Sequence, residues 1–566
     1  MNKSVNLVFL WHMHQPDYRD YSTGEFVLPW TYLHAIKDYA DMAYHLERHP
    51  KVQVVMNFLP ILLDQLEDYV HQFASGQLHD SLLKLLAQGE GVVLSLAQRQ
   101  HVLDACFRSH HNKMIEPYPA YKRLAELFNS LQADGGVTLA YLSDQYMMDL
   151  LVWYHLAWCG ESVRREHELV ARLLSKAENF SYADRRQLLD LIGEIISGII
   201  PRFRKLAESG QIEISATPHY HPLAPLLIDF ASATETMPDA PMPHSAIYPG
   251  GKARVAAHIR KAKQSHQARF GSKPAGMWPA EGSVSDATLA VMAEEGCTWA
   301  ASGEGVLANS IHKSQHNLPH RVEYLYRPYR LANTAAGLSC FFRDDKLSDL
   351  IGFEYANWHG DDAARHFVGQ IESIAQHAPK GETPIVSVIL DGENAWEYYP
   401  YNGFYFLDQL YTQLEDHPAI RTNTYKNYLQ SCAKQSVTVL PSIVPGSWVY
   451  GNFSTWIGSP DKNRAWDLLC EAKQSYDRII GEGGLSLAEQ AAAEEQLCSC
   501  ESSDWCWWFG DYNPAASVAS FDQLYRHNLS ELYRLMKLTP PANLSEPISH
   551  GSSIGGASGA MRRSTD

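Results

Sequence analysis

Seven short apolar runs constrain this chain most: residues 5–11, 52–58, 211–217, 275–278, 298–302, 338–342 and 385–391. They are rich in Val, Ile and Leu and bounded by polar turns. Runs that are apolar on both faces suit parallel strands covered by helices. Helical periodicity lies between them. In residues 184–209, for example, Leu188, Ile192, Ile195, Ile196 and Ile199 fall at three- and four-residue spacing. Alternating strands and helices predict an α/β barrel or a layered α/β sheet. The mostly helical stretch from about 60 to 205 is too long for one crossover and reads as an insertion. We place the barrel or sheet body at 1–400. Amphipathic segments at 462–477, 486–498 and 517–536 predict a helical C-terminal domain over 401–539. Residues 540–566 are rich in Ser, Gly and Pro, and are expected to form a disordered tail. The chain of 566 residues is long enough for such a division.

Charge narrows the partners. Forty-seven Lys and Arg against 64 Asp and Glu leave a net charge of −17. Such a field repels polyanions, which argues against nucleic acid and anionic membranes. No apolar stretch reaches the ~18 residues of a membrane span. The run 5–11 ends in histidines and is too short for a signal segment, so it reads as a buried strand. Nine scattered cysteines without a CxxC pair fit reduced thiols and a cytoplasmic location. The cluster Cys498, Cys500 and Cys506 lacks a fourth ligand and reads as packing. The aromatic content is high, with 14 Trp, 30 Tyr and 19 Phe. Rings beyond the needs of a core suggest a stacking surface for a flat, weakly polar ligand.

The polar residues at the strand ends are more specific, because in parallel α/β folds these ends converge on the active site. The first strand ends in Trp11-His12-Met13-His14-Gln15-Pro16, where His12 and His14 face the same way. The third runs into Pro218-His219-Tyr220-His221-Pro222. Trp278-Pro279-Ala280-Glu281-Gly282-Ser283, Phe342-Arg343-Asp344-Asp345 and Asp391-Gly392-Glu393-Asn394-Ala395-Trp396 end three others. A carboxylate just past a strand also suits the N-cap of the next helix, and Asp344 stands before such a polar-to-apolar switch. Glu281 fits that reading less well, since Ser283, Ser285 and Asp286 are better placed to cap. Trp278 and Trp396 suit either a core or a face on which a sugar ring stacks.

At these residues the chain resembles glycoside hydrolase family 57, the α-glucan-active enzymes with a distorted (β/α)7 barrel. Five motifs stand in order: FLWHMHQPDY; GQIEISATPHYHPLAPLL; GMWPAEGSVS; FFRDDKLSDLIGF; and LDGENAWEYYP. PGSWVYGNFSTWIG and SDWCWWFGD further resemble the helical domain of amylopullulanase-like and α-amylase-like members. The likeness spans about residues 5–535. It implies Glu281 as nucleophile and Asp344 as general acid/base, the choice over Asp345 resting on motif position. It implies substrate contacts at His12, His14, His221, Trp278, Asp391, Glu393 and Trp396, with Trp448 and Asp504 closing over the cleft. Branching enzymes of the family tend to carry Cys-Gly after the catalytic Glu; here Gly282-Ser283 follows, which favours hydrolysis.

The expected activity is retaining hydrolysis of α-1,4 glucosidic bonds, with α-1,6 bonds also open and no cofactor required. Retention calls for two carboxyls about 5 to 5.5 Å apart, one attacking and one donating a proton. A 4-α-glucanotransferase on the same site is the alternative. Two further readings are a metal-dependent hydrolase or deacetylase built on His12, His14, His219, His221 and Asp391, and a silent glucan-binding protein.

Overall fold

A computed structural model describes residues 4–132, 139–315, 317–332, 337–431, 437–552 and 561–563. Nine strands occur among them: β1 (Val5–Met13), β2 (Val54–Phe58), β3 (Ile212–Ala216), β4 (Trp299–Ser302), β5 (Tyr329–Leu331), β6 (Ser339–Phe342), β7 (Ile385–Asp391), β8 (Ile420–Thr422) and β9 (Thr438–Leu440). β1 is flanked by β2 and β7, and β2 pairs with β3, all in parallel. β4 pairs in parallel with β6. Single bridges complete the ring: Ala216 to Met277, Met277 to Ala300, and Arg343 to Ser387. With the Met277 segment counted as a staff, seven parallel staves close on themselves, a distorted (β/α)7 barrel.

The pleat sorts side chains between two cores. Val8, Leu10, Val55, Trp278, Trp299, Ala301, Phe341, Ile385 and Ile389 cluster in the interior. Their neighbours Leu7, Phe9, Trp11, Phe342, Val386 and Val388 pack in the larger core under the helices. This two-sided burial is why the strands read as continuous apolar runs. Above the interior cluster lies a polar layer. Asn57 Oδ1 accepts from His12 Nδ1 at 2.6 Å and from Thr217 Oγ1 at 2.9 Å, and Asn57 Nδ2 donates to Ser215 Oγ at 2.8 Å.

Between β2 and β3 the chain forms mainly helices, ending in Tyr182–Glu208, which a Ser181/Asp184 capping box starts. Four helices follow β9: Pro460–Glu482, Leu487–Cys500, Asp504–Trp508 and Ala515–Leu535. One buried carboxylate ties them to the barrel. Glu501 accepts from Arg254 Nε at 2.7 Å, His258 Nε2 at 2.7 Å and Tyr248 Oη at 2.5 Å. Burial alone would raise its pKa, but Arg254 and His258 bring it down to about 2. Three residues on, Asp504 reaches the barrel mouth.

The segment expected to be a disordered tail departs from that expectation over its first half. Leu544 and Ile548 are buried, Asp522 Oδ1 accepts from Ile548 N at 2.7 Å, and Ser552 bridges Pro514. Two apolar side chains and a buried acceptor suffice to dock a short Pro-rich stretch that composition alone marks as loose. Residues 553–560 and 564–566 lie outside the described residues. The eight described cysteines are buried and free, including Cys498, Cys500 and Cys506. No helix among the described residues is long and apolar enough to cross a membrane.

Candidate active site

A cavity of about 740 Å³ opens at the C-terminal ends of the staves. Its wall includes His12, His14, Glu281, Asp391, Glu393, Trp448 and Asp504. Pleat parity puts two of these there directly. His12 continues the inward series Val8 and Leu10, Asp391 continues Ile385 and Ile389, and the register sets His12 beside Asp391.

Glu281 arrives by a strained turn. After Met277 and Trp278 join the barrel ladder, Glu281 adopts φ 57° and ψ 24°, a left-handed conformation that disfavours non-glycine residues. Gly282 follows at φ +56°, and a Cβ there would stand 2.6 Å from the Trp278 ring. The turn therefore needs glycine at 282. It aims the Glu281 carboxylate into the cavity, where Trp448 Nε1 donates to Oε2 at 3.0 Å. Trp448 N also donates to Glu281 O at 3.1 Å, so the loop carrying the indole is pinned to the turn it covers.

His14 is the cation of the site. His12 gives its Nδ1 proton to Asn57 and so presents a bare Nε2, 3.1 Å from His14 Nδ1. His14 Nε2 lies 2.9 Å from Asp504 Oδ1. With acceptors at both ring nitrogens, His14 is held as an imidazolium. Burial would lower its pKa, but Asp504, Glu281 and Asp391 raise it. His12 goes the other way, well below the usual imidazole range, through burial and the neighbouring His14 charge.

The carboxyls around this cation are pushed up. Burial, with Asp504 and Asp391 nearby, raises Glu281 to about 8 against the opposing pull of His14 and the Trp448 hydrogen bond. Burial likewise raises Asp391, whose Oδ2 accepts from Asn394 Nδ2 at 3.0 Å. Glu393 is also raised, by burial and by Asp391, although its Oε1 accepts from His14 N at 3.0 Å. Crowded acids in a dry pocket cannot all ionise, so the cluster holds protons at neutral pH.

Asp344 is placed elsewhere. Its parity with Phe342 turns it out of the barrel, while Phe341 and Arg343 face in. Arg321 donates to both of its oxygens, at 2.6 and 3.1 Å; Tyr326 Oη donates at 2.9 Å; and Leu347 N donates at 2.8 Å as Asp344 caps the helix Asp345–Asp349. Its side chain is fully buried, with every lone pair engaged, and it is absent from the cavity wall. The capping role is the one realised. Trp396 is also elsewhere: it is buried against Trp11 and Tyr399, with its indole N–H on Gly392 O at 2.8 Å. Trp278 and His221 lie beneath the cavity floor. His221 takes Ser503 Oγ at 2.9 Å, and Trp278 meets Trp448 edge to face at 5.3 Å. His12, His14 and His221 bring ring nitrogens within 4.8 Å of one another, a set that suits a small divalent ion only if His14 surrenders its proton. His219 is not part of it and turns to Asp64 at 3.3 Å.

Much of the wall carries no motif. Tyr18, Trp30, His34, Arg108, Trp158, Tyr398, Trp507, Trp508 and Phe521 line it from segments far apart in sequence. Of these, only Tyr18, Tyr398, Trp507 and Trp508 had a signal, within the FLWHMHQPDY, LDGENAWEYYP and SDWCWWFGD stretches. Arg343 acts from below, its guanidinium 5.5 Å from the Trp448 ring centre and its charge opposing the rise of Asp391.

A family model described as Glycosyl hydrolase family 57 matches residues 8–441. Among solved structures, a GH57 branching enzyme from Thermococcus kodakaraensis superposes with TM-score 0.58 at 15% identity, covering 94% of this chain and 90% of that one. The GH57-type branching enzyme of Pyrococcus horikoshii gives 0.57 at 15% identity over 97% of both chains. The α-amylase AmyC of Thermotoga maritima gives 0.56 at 14% identity, over 94% of this chain and 93% of that one. These likenesses speak for the fold. No curated protein matches the chain.

Proposed function

This chain belongs to glycosyl hydrolase family 57 and is a glycoside-hydrolase-type enzyme, and from that premise we propose a retaining α-glucan hydrolase with Glu281 as nucleophile and Asp391 as acid/base. The observation that carries the assignment is the shared cavity. Glu281 and Asp391 both line it, burial raises the pKa of each, and Asp391 adds to the rise of Glu281, whereas Asp344 is engaged by Arg321 and a helix cap.

The chemistry needs one carboxyl protonated and one ionised. Asp391 gives its proton to the glycosidic oxygen as the C1–O bond breaks, and the Glu281 carboxylate bonds to C1. Once the leaving chain departs, Asp391 takes a proton from water, the hydroxide adds to C1, and Glu281 leaves as carboxylate. His14 stabilises the ionised form of Glu281 before attack and after release. Asp504, held at 2.9 Å, fixes the imidazolium in place. Trp448 keeps one nucleophile oxygen on a hydrogen bond and leaves the other free.

This arrangement sets a pH dependence. Glu281 works ionised, and its value of about 8 lies far above an exposed carboxyl. kcat/KM is therefore expected to fall as pH drops through about 8, not through 4 to 5. His14→Ala removes the charge that favours ionised Glu281, so the acid limb moves to still higher pH. A limb near pH 4.5 in the unaltered enzyme contradicts the assignment.

The substrate reading is an α-1,4-linked glucan. Indoles along the cavity offer apolar faces to pyranose rings, and His and carboxyl groups offer bonds to hydroxyls. The neutral polymer also escapes repulsion by a −17 protein. A 4-α-glucanotransferase is the second reading, favoured by how many rings line the cavity, since such a wall holds a sugar acceptor against water. Maltotriose separates the two. Hydrolysis gives maltose and glucose only, and a transferase also gives chains longer than three; we expect the former to dominate.

A further inference from the structure

We propose that the part of this cavity built around Arg108 is an anion subsite, and that the preferred substrate is an α-glucan bearing a phosphate monoester. The inference rests on the α-glucan reading above and adds a substrate class to it.

Arg108 stands after the helix Leu96–Cys106, half-buried on the cavity wall. Its Nη2 donates to Ser517 Oγ at 3.0 Å, across from the C-terminal helix Ala515–Leu535. No carboxylate among the described residues forms an ion pair with it. The ionisable groups that act on it are the phenols of Tyr18 and Tyr154, and burial lowers its pKa. Other well-covered arginines of the chain are matched: Arg19 with Asp17, Arg164 with Glu161, Arg254 with Glu501, Arg343 with Asp345 and Asp349. Arg185, which has no acid, is capped by the carbonyls of Leu86 and Gln88. Arg108 alone of this group keeps most of its five N–H donors for the cavity.

Its surroundings suit an anion. The Ser109 hydroxyl accepts from Trp158 Nε1 at 3.3 Å, which fixes the loop. His110 packs edge-on to Tyr398 at 5.1 Å, and its buried Nδ1 has no partner. His111 and Asn112 complete that wall. The acid on this side is Glu397, which engages the Tyr398 hydroxyl. On the neighbouring wall, His34 and Lys37 share the single carboxylate of Asp38, at 2.7 and 2.8 Å.

Tyr18 stands on the same cavity wall, and its phenol feels the charges of Asp504 and Glu393 together with the opposing charge of Arg108. The cavity thus carries acids around Glu281 and also a guanidinium with no carboxylate in an ion pair with it among the described residues. Sugar hydroxyls would satisfy some of those N–H groups but leave the charge bare. A phosphate monoester offers paired oxygens to the planar fork and neutralises it. In a protein of net charge −17, an unpaired cation inside the cavity is a local exception with a direction.

The test is binding to Glu281→Gln protein, which isolates affinity from turnover. The probes are maltotetraose and maltotetraose phosphorylated at C1 or at C6, with inorganic phosphate as a competitor. We expect one phosphorylated form to bind at least about tenfold more tightly than the neutral sugar, with an advantage that shrinks with added salt. In Arg108→Met the ratio falls to about one, and Arg108→Lys, which keeps the charge without the fork, lies between. Equal affinity for neutral and phosphorylated sugars overturns the inference while leaving the glucan reading intact, as does a phosphate preference that survives Arg108→Met. Failure of all the sugars to bind overturns the glucan reading and the inference together.

Discussion

Glu281→Gln is expected to lose on the order of 10⁴-fold or more in kcat on maltooligosaccharides and amylopectin, because the carboxylate assigned to form the glycosyl-enzyme is gone. The change removes a carboxylate but keeps its shape. The Trp448 indole N–H still finds an amide oxygen, so the loop that closes over the turn stays pinned. Folding is expected to be unharmed and even slightly favoured, since a buried acid raised to about 8 is costly to keep. In Glu281→Gly protein, by contrast, small nucleophiles such as azide, entering the space the side chain leaves, are expected to restore part of the rate and give a glycosyl azide. A Glu281→Gln protein that hydrolyses either substrate as fast as the parent enzyme removes Glu281 from the mechanism.

The second large effect separates Asp391 from Asp344. Asp391→Asn should lower kcat by about 10²- to 10⁴-fold on natural glucans, the usual worth of a positioned acid/base. Much less is lost in the first step with an activated leaving group such as fluoride, which needs no proton. Asp344→Asn should act on stability instead. It removes the charge that Arg321 pairs with, while the amide oxygen can still accept from Leu347 N and Glu304 still engages Arg321, so the cost is at most about 3 kcal/mol. Arg321 is partly exposed, so water recovers some of that loss. The expected outcome is a lower melting temperature with kcat within about tenfold below it. The reverse pattern, a stable Asp344→Asn protein without turnover beside an active Asp391→Asn, assigns the proton to Asp344.

The barrel was largely legible because its strands are buried on both faces, and two-sided burial writes continuous apolar runs. The place of Glu281 on the cavity wall was legible too, since a lone acid between a strand-end Trp and a turn glycine suits a cap poorly. The place of Asp344 off the cavity wall was not legible, because a motif position counts residues and not faces. The pleat supplies the missing rule: Phe341 faces in, so Arg343 does and Asp344 does not. The same parity, applied to Ile385 and Ile389, points Asp391 at the mouth. The place of Trp396 was hidden for another reason, as its indole N–H folds back onto its own loop at Gly392. His219 shares the HxH spacing but not the site. His221 takes φ 59°, a kink that spacing does not announce. Arg108, Trp30 and Trp158 were invisible, because they reach the cavity through tertiary packing of the segments between β1 and β3. The ordered start of the C-terminal segment was missed because two buried side chains are too few to register in composition.

The account stands or falls on a covalent bond at one residue. Incubation with a 5-fluoro-α-glucosyl fluoride, followed by proteolysis and mass spectrometry, reads it directly. The account predicts a single glucosyl adduct on the peptide that contains Glu281, formed with loss of activity and absent in Glu281→Gln protein. An adduct on Asp344 or Asp391, or hydrolysis of maltooligosaccharides with inversion at the anomeric carbon, contradicts it.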